Sequence, residues 1–153
     1  MLPLVKSELA NVSSARQYLF IYHEAVVINL LEVMMYHSST SETIGDLLID
    51  LIEYAYRKII KLIGYKHAET KVSQTNEEDL DRQMNEMEFA IGISCISLIR
   101  FISDHLSSLT LAVVQQLVEQ CDIFQTLIPI MEEKPWIRPT KNGGELIYEN
   151  QSW

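Results

Sequence analysis

Glycine and proline are scarce in this chain, five and four in 153 residues, and three of the prolines (Pro129, Pro135 and Pro139) crowd the C-terminal quarter. So few turn-formers predict a helical body followed by an irregular tail. Cysteine is rarer still: Cys95 and Cys121 stand alone in apolar surroundings, with no second pair nearby. This excludes a disulfide framework and a cysteine-based zinc site. The two read instead as reduced, partly buried thiols of a cytosolic protein, since free cysteine packs as a small hydrophobe. Basic residues are also in deficit, 12 against 21 acids, for a net charge of −9. A nucleic-acid backbone would be repelled, with no counterion release to drive binding, so nucleic acid is excluded as a partner.

No charge-free run is long enough to span a membrane. The most hydrophobic stretch, Tyr18 to Tyr36, carries Glu24 and Glu32 along with His23 and Asn29, and lipid would have to bury two carboxylates. The start, Met1-Leu2-Pro3-Leu4-Val5-Lys6, lacks the basic start, apolar run and cleavage site of a signal peptide. Without secretion, Asn11-Val12-Ser13 and Asn150-Gln151-Ser152 are chance matches to the glycosylation tripeptide. What the chain does have is 48% hydrophobic and 22% charged residues, the balance of a globular domain able to bury a core. Its length leaves room for one domain.

Apolar periodicity divides the chain into helices. From about Ser14 to His37, Leu19, Val26, Leu30, Val33 and Met34 recur on one face while Phe20, Val27, Ile28 and Leu31 fill a second, which predicts a helix buried on more than one side. From about Ser41 to Tyr65, Ile44, Leu47, Leu48, Leu51, Ile52, Ala55, Ile59, Leu62 and Ile63 form one stripe. Its acids lie first (Glu42, Asp46, Asp50, Glu53) and its bases last (Arg57, Lys58, Lys61), as the helix dipole favours. Ser41 or Thr40 is placed to cap its start and Gly64 lies near its end. His67 to Asn76 carries no apolar period and reads as a solvated loop. Asn76 then introduces a long helix to about His105, with Glu77, Glu78, Asp79 and Asp81 in its first turns and Gly92 in its middle, where a close helix crossing fits. Ser107 or Ser108 is expected to cap a shorter helix bearing Leu111, Val114, Leu117 and Val118, and Asp122 a last one from Ile123 to Met131, bent or ended by Pro129. Residues 1–134 are thus assigned to a helical domain and 135–153 to an irregular tail, where Asn142-Gly143-Gly144 before Glu145-Leu146-Ile147-Tyr148 suggests a short hairpin. Helix segments beginning near residues 14, 41, 77 and 108 suit either a bundle or stacked armadillo or HEAT repeats, and period alone does not choose between them.

The chemistry-bearing residue types form no catalytic constellation. His23-Glu24 suggests a metalloprotease helix, but the second histidine is missing because position 27 is Val. His37 and His67 lie on separate segments, and His105 suits a helix terminus. Asp46, Asp50 and Glu53 share one helix side, and a solvated acidic face explains them better than a carboxylate site. His67 to Glu88 holds seven acids and two bases, −5 of the net −9, and offers a surface for a basic partner. No glycine-rich loop, no Gly-x-Ser-x-Gly elbow and no basic neighbour of either cysteine is present. The candidate partner-binding residues are therefore Trp136 and Trp153 in the tail and the acids Glu77, Glu78, Asp79 and Asp81. The plainer reading of the tryptophans is that they clip the tail onto the helices.

Tyr22-His23-Glu24-Ala25-Val26-Val27-Ile28-Asn29-Leu30-Leu31-Glu32, then Asp46-Leu47-Leu48-Ile49-Asp50-Leu51-Ile52-Glu53-Tyr54 with Arg57-Lys58, are similar to the helical region of one family. The likeness continues through Met87-Glu88-Phe89-Ala90-Ile91, Leu98-Ile99-Arg100-Phe101-Ile102-Ser103-Asp104, Ser107-Ser108-Leu109-Thr110-Leu111, Pro135-Trp136 and Gly143-Gly144. From about residue 18 the chain resembles the MYND zinc-finger family of axonemal dynein preassembly factors.

The resemblance implies a cytoplasmic adaptor or co-chaperone for the dynein arms of motile cilia, not an enzyme. It implies work with a leucine-rich-repeat assembly factor, an FK506-binding prolyl isomerase and heat-shock chaperones on dynein heavy chains, and it favours an armadillo-like array. The family's Cys/His-rich finger cannot be built from Cys95 and Cys121. The chain is therefore expected to be an internal helical fragment with Met1 foreign to it, and zinc is expected only in a C-terminal finger outside it. Two rival expectations are a helical scaffold of another pathway and a non-catalytic part of a SET- and MYND-containing methyltransferase. The latter would need strand-rich, glycine-containing segments for the methyl donor.

Overall fold

In a computed structural model that describes residues 14–65, 76–140 and 143–149, the architecture is mostly helical with one two-stranded sheet. Helix α1 (Ser14–Met35) contains neither glycine nor proline, and it ends where Tyr36 and His37 turn the chain. Helix α2 (Ser38–Ile44) is a separate short element, because Gly45 adopts φ 56°, a left-handed conformation that breaks the helix. Helix α3 (Leu47–Ile60) follows at once. The single helix expected from Ser41 to Tyr65 is thus two helices and a closing turn. Neither Thr40 nor Ser41 caps it: His37 precedes α2, and Ser41 is buried within that helix. Buried Leu48, Ile52, Ala55 and Ile59 form the inner stripe of α3, whereas Leu47 and Ile63 are exposed at its two ends. Asp50 in the first turn with Arg57 and Lys58 in the last matches the dipole as expected.

Helix α4 (Asn76–Asp104) is the longest, and it carries buried Phe89, Ile91, Cys95, Leu98, Ile99 and Ile102. Its Gly92 is the predicted close crossing: a Cβ there would lie 2.7 Å from Leu62 Cδ2. Lys61 Nζ reaches Glu88 Oε1 at 2.9 Å and the Tyr65 hydroxyl donates to the Asn85 carbonyl at 3.3 Å, so α3 descends where α4 ascends. Tyr36 meets Phe101 edge-on at 5.6 Å near the far end of α4, while Tyr22 shares a depression with Met87 near its start, so α1 and α4 run parallel. Helix α3 runs against both.

After α4 the chain turns through a 3-10 segment (Leu106–Ser108) into α5 (Leu111–Gln115). Thr110, not Ser107 or Ser108, stands at its N-cap, because both serines are taken up in the 3-10 turn. A π-turn (Gln116–Gln120) continues α5, closed by the Cys121 amide donating to the Gln116 carbonyl at 3.0 Å, and keeps Val113, Leu117 and Cys121 on the buried side. Helix α6 (Ile123–Glu133) is capped by Asp122, whose Oδ1 accepts from the Gln125 amide at 3.4 Å. Pro129 neither ends it nor stops its last turn. It removes one donor, but the fully buried Ile130 that follows holds the helix on course to Glu133. The tail forms the expected hairpin: β1 (Ile137–Pro139) pairs antiparallel with β2 (Glu145–Ile147), Arg138 opposite Leu146. The core therefore lies where α3 and α4 meet, closed by one end of α1 and by α5 and α6.

The expectation that α1 is buried on more than one side does not hold. Among its described side chains Ile28 and Met35 are buried, but Val26, Leu30 and Val33 are 64%, 59% and 62% exposed. Among the described residues, α4 packs along it, α2 folds back against its end, and α3 meets it through Tyr54 and Lys58.

Candidate functional site

The tail residues nominated from sequence are placed unequally. Trp136 is half-buried against the core, and its carbonyl accepts from the Tyr148 amide at 2.9 Å. Trp153 lies outside the described residues, as do His67, the segment 66–75, and the tripeptides at Asn11 and Asn150. Among the nominated acids, Glu77 lies in the first turn of α4 with its side chain outside the description, Glu78 is exposed, and Asp79 and Asp81 are half-buried. Asp79 Oδ1 accepts from Arg82 Nη2 at 2.5 Å. The hairpin is brought to the same half of α4: Tyr148 meets Phe89 edge-on at 5.1 Å and lines a depression with Gln83 and Glu86.

Glu24, singled out beside His23, serves a different purpose. Its Oε1 accepts from the Tyr54 hydroxyl at 2.6 Å and from Lys58 Nζ at 2.5 Å, which ties α1 to α3. Burial alone would raise the Glu24 carboxyl, but the hydrogen bonds from Lys58 and Tyr54 and the lysine charge together hold it below the ordinary glutamate value. Burial pushes the Tyr54 phenol up, and the same bond adds to the rise. Lys58 is itself only 13% exposed and lies 5.5 Å from the Tyr54 ring centroid. This cluster is a polar tie with each charge answered, and His23 beside it is exposed.

The two remaining described histidines, His37 and His105, sit at helix ends. His105 follows α4, its Nε2 3.4 Å from the Tyr36 carbonyl at the end of α1, and His37 abuts the Tyr36 ring at 5.4 Å. Asp46, Asp50 and Glu53 are all exposed, with Glu53 3.8 Å from Arg57, as a solvated acidic face requires. Among the described residues no group of three His, Cys, Asp or Glu side chains could hold a metal ion. Burial raises both thiols, that of Cys95 to about 12 despite the nearby Lys58 charge. No described helix is long and apolar enough to cross a membrane.

What sequence reasoning missed is the outer side of α1. Tyr22, Val26, Val33 and Tyr36 are exposed, and with half-buried Asn29 they follow a spacing of four, three, four and three residues. That is the register by which one helix receives another. Two depressions of about 300 and 260 Å³ lie between this row and α4, and they share Asn29. The first is bounded by Glu86 and Met87 of α4, the second by Phe101. A third, about 310 Å³ and almost wholly apolar, opens on the opposite flank between Val27, Leu31 and Leu51. The signal was legible in the spacing itself, but periodicity does not say whether an apolar row faces the core or solvent.

No known family model matches the chain, and no solved structure matches it. It is similar to the zinc finger MYND domain-containing protein 10 homolog of Drosophila melanogaster, 33% identical over 133 residues. The match covers 82% of this chain and 30% of that protein, so the chain spans less than a third of the length of the curated relative it matches.

Proposed function

The chain is related, over most of its own length, to part of zinc finger MYND domain-containing protein 10, and from that kinship we propose that it is a non-enzymatic adaptor or co-chaperone surface in the cytoplasmic preassembly of axonemal dynein arms. The observation that carries this reading is the match itself, 33% identity along 82% of the chain. The outer side of α1 adds a physical reason: exposed apolar side chains beside two depressions suit the docking of another protein. Its partners would be a leucine-rich-repeat dynein assembly factor, an FK506-binding prolyl isomerase, heat-shock chaperones and dynein heavy chains. The alternation of α1, α3 and α4 supports reading the body as one layer of an armadillo-like array. No cofactor is needed for such a role, and zinc would belong to a MYND finger elsewhere in the longer protein.

A helical scaffold serving another pathway would keep this fold and change the partners. A non-catalytic part of a SET- and MYND-containing methyltransferase is less favoured, since the described residues form helices and a single short hairpin. Calorimetry of the folded chain against the purified assembly factor and chaperones separates these readings. Micromolar or tighter binding is expected; no binding to any of them, with capture of an unrelated complex from ciliating cells, would sink the dynein-assembly role.

A further inference from the structure

The groove between α1 and α4 has a shape, a length and a charge, and the three together describe what fits it. Its floor is two depressions that both touch Asn29, and the row from Tyr22 through Val26 and Val33 to Tyr36 borders them. At about 1.5 Å per residue that row is roughly 21 Å long, four turns of helix. Side chains at three- and four-residue spacing on one helix are met best by the same spacing on another.

Charge then selects the occupant. The charged side chains lining the two depressions are Glu86 and Glu32, and neither depression is lined by lysine or arginine. The first turns of α4, ahead of Met87, also carry Glu78 and Asp81. Arg82 there is engaged by Asp79, and Arg100 near the other end stands within 4.0 Å of Asp104. A second copy of the chain, with a net charge of −9 and the same acidic margin, is poorly matched. We infer that the α1–α4 groove receives an amphipathic helix of a partner protein, its apolar side chains spaced by three and four residues and its flanks bearing lysine or arginine. This rests on the adaptor reading only for its biological setting; the groove's chemistry stands by itself.

The test uses two labelled synthetic 18-residue helical peptides with identical leucine rows, one with lysine flanks and one with glutamate flanks, titrated by fluorescence anisotropy. The lysine peptide should bind at least about tenfold more tightly, with a gap that narrows as salt rises, since exposed charges are screened. Glu86→Lys should weaken the lysine peptide by up to about fivefold, the reach of one exposed ion pair. Val26→Asp and Val33→Asp should each weaken it by tenfold or more with the helical circular-dichroism signal unchanged, because both positions already face solvent. Equal affinity for the two peptides, or indifference to Val33→Asp, would overturn the assignment. So would sedimentation showing self-association that Val33→Asp abolishes, which would make the occupant a second copy. Failure of the full-length relative to bind a peptide that this chain binds would assign the groove to that protein's own helices. If the peptide binds but no dynein-assembly partner does, the groove stands and the adaptor reading falls. If those partners bind and ignore Val26→Asp and Val33→Asp, the adaptor reading stands and the groove assignment falls.

Discussion

Replacing Gly92 by alanine sets two effects of opposite sign against each other. In the interior of α4 the substitution should help, since glycine costs a helix about 1 kcal/mol relative to alanine. Its new Cβ, however, would stand 2.7 Å from Leu62 Cδ2, 2.8 Å from Cγ and 3.1 Å from Cδ1, all well inside carbon–carbon contact. Leu62 has little room to yield, because it is 1% exposed and its amide is bonded to the Ile59 carbonyl at 2.9 Å. Overpacking of this kind costs about 1–3 kcal/mol. The clash should therefore win by about 1 kcal/mol, lowering the melting temperature by about 2–4 °C for a chain of this size. Urea denaturation followed by circular dichroism reads the difference directly. The decisive comparison is the double variant: Leu62→Ala alone should cost about 2–5 kcal/mol, but adding Gly92→Ala to it should be neutral or stabilising, because the obstructing atoms are gone. A Gly92→Ala protein more stable than the parent, or one equally destabilised in both backgrounds, would refute the account of the crossing.

Tyr54→Phe removes one hydrogen bond to Glu24 while keeping the ring against Lys58, so it should cost about 1 kcal/mol, measured by thermal melting. Because the folded state holds the Glu24 carboxyl below its unfolded value, its contribution is complete above about pH 4.5 and is lost as pH falls through the lowered value. Melting temperatures taken from pH 6 to pH 3 should fall less steeply in Glu24→Gln than in the parent, and parallel curves would deny Glu24 that part. The thiols of Cys95 and Cys121, buried and raised, should resist a thiol-reactive disulfide reagent at neutral pH until denaturant is added. Rapid labelling of the folded chain would show that the site of Cys95 opens.

The helical class, the long α4, the Asp122 cap and the hairpin were legible because each has a local cause: an apolar period, a side chain that can reach an amide, or a glycine pair between short apolar segments. The break at Gly45 was not, because Ile44, Leu47 and Leu48 keep the helical period across it and only the positive φ of Gly45 discloses the turn. Capping serines were misplaced for a similar reason, since Ser107 and Ser108 compete for the cap with a 3-10 turn whose choice depends on packing. Glu24 was noticed for a metal motif it does not make; its partners Tyr54 and Lys58 lie 30 and 34 residues away, beyond any local spacing. The groove was hidden most deeply. Val26, Leu30 and Val33 look like core from sequence, and only the placement of α3 and α4 shows that nothing described stands in front of them.

The parallel course of α1 and α4 has a bearing on synthesis. Parallel helices cannot close on each other through a tight hairpin, so α1 must wait until α4 has been made before its buried residues, Ile28 and Met35, find their full surroundings. From Met35 to Asp104 that is roughly 70 residues, several seconds at ribosomal rates. During that interval the side of α1 that meets α4 is open to water, while α3 can cover one flank through the Glu24–Lys58–Tyr54 tie. The nascent chain is therefore most prone to aggregate before α4 emerges, and a holdase acting on it would find its binding segment within Tyr22–Tyr36.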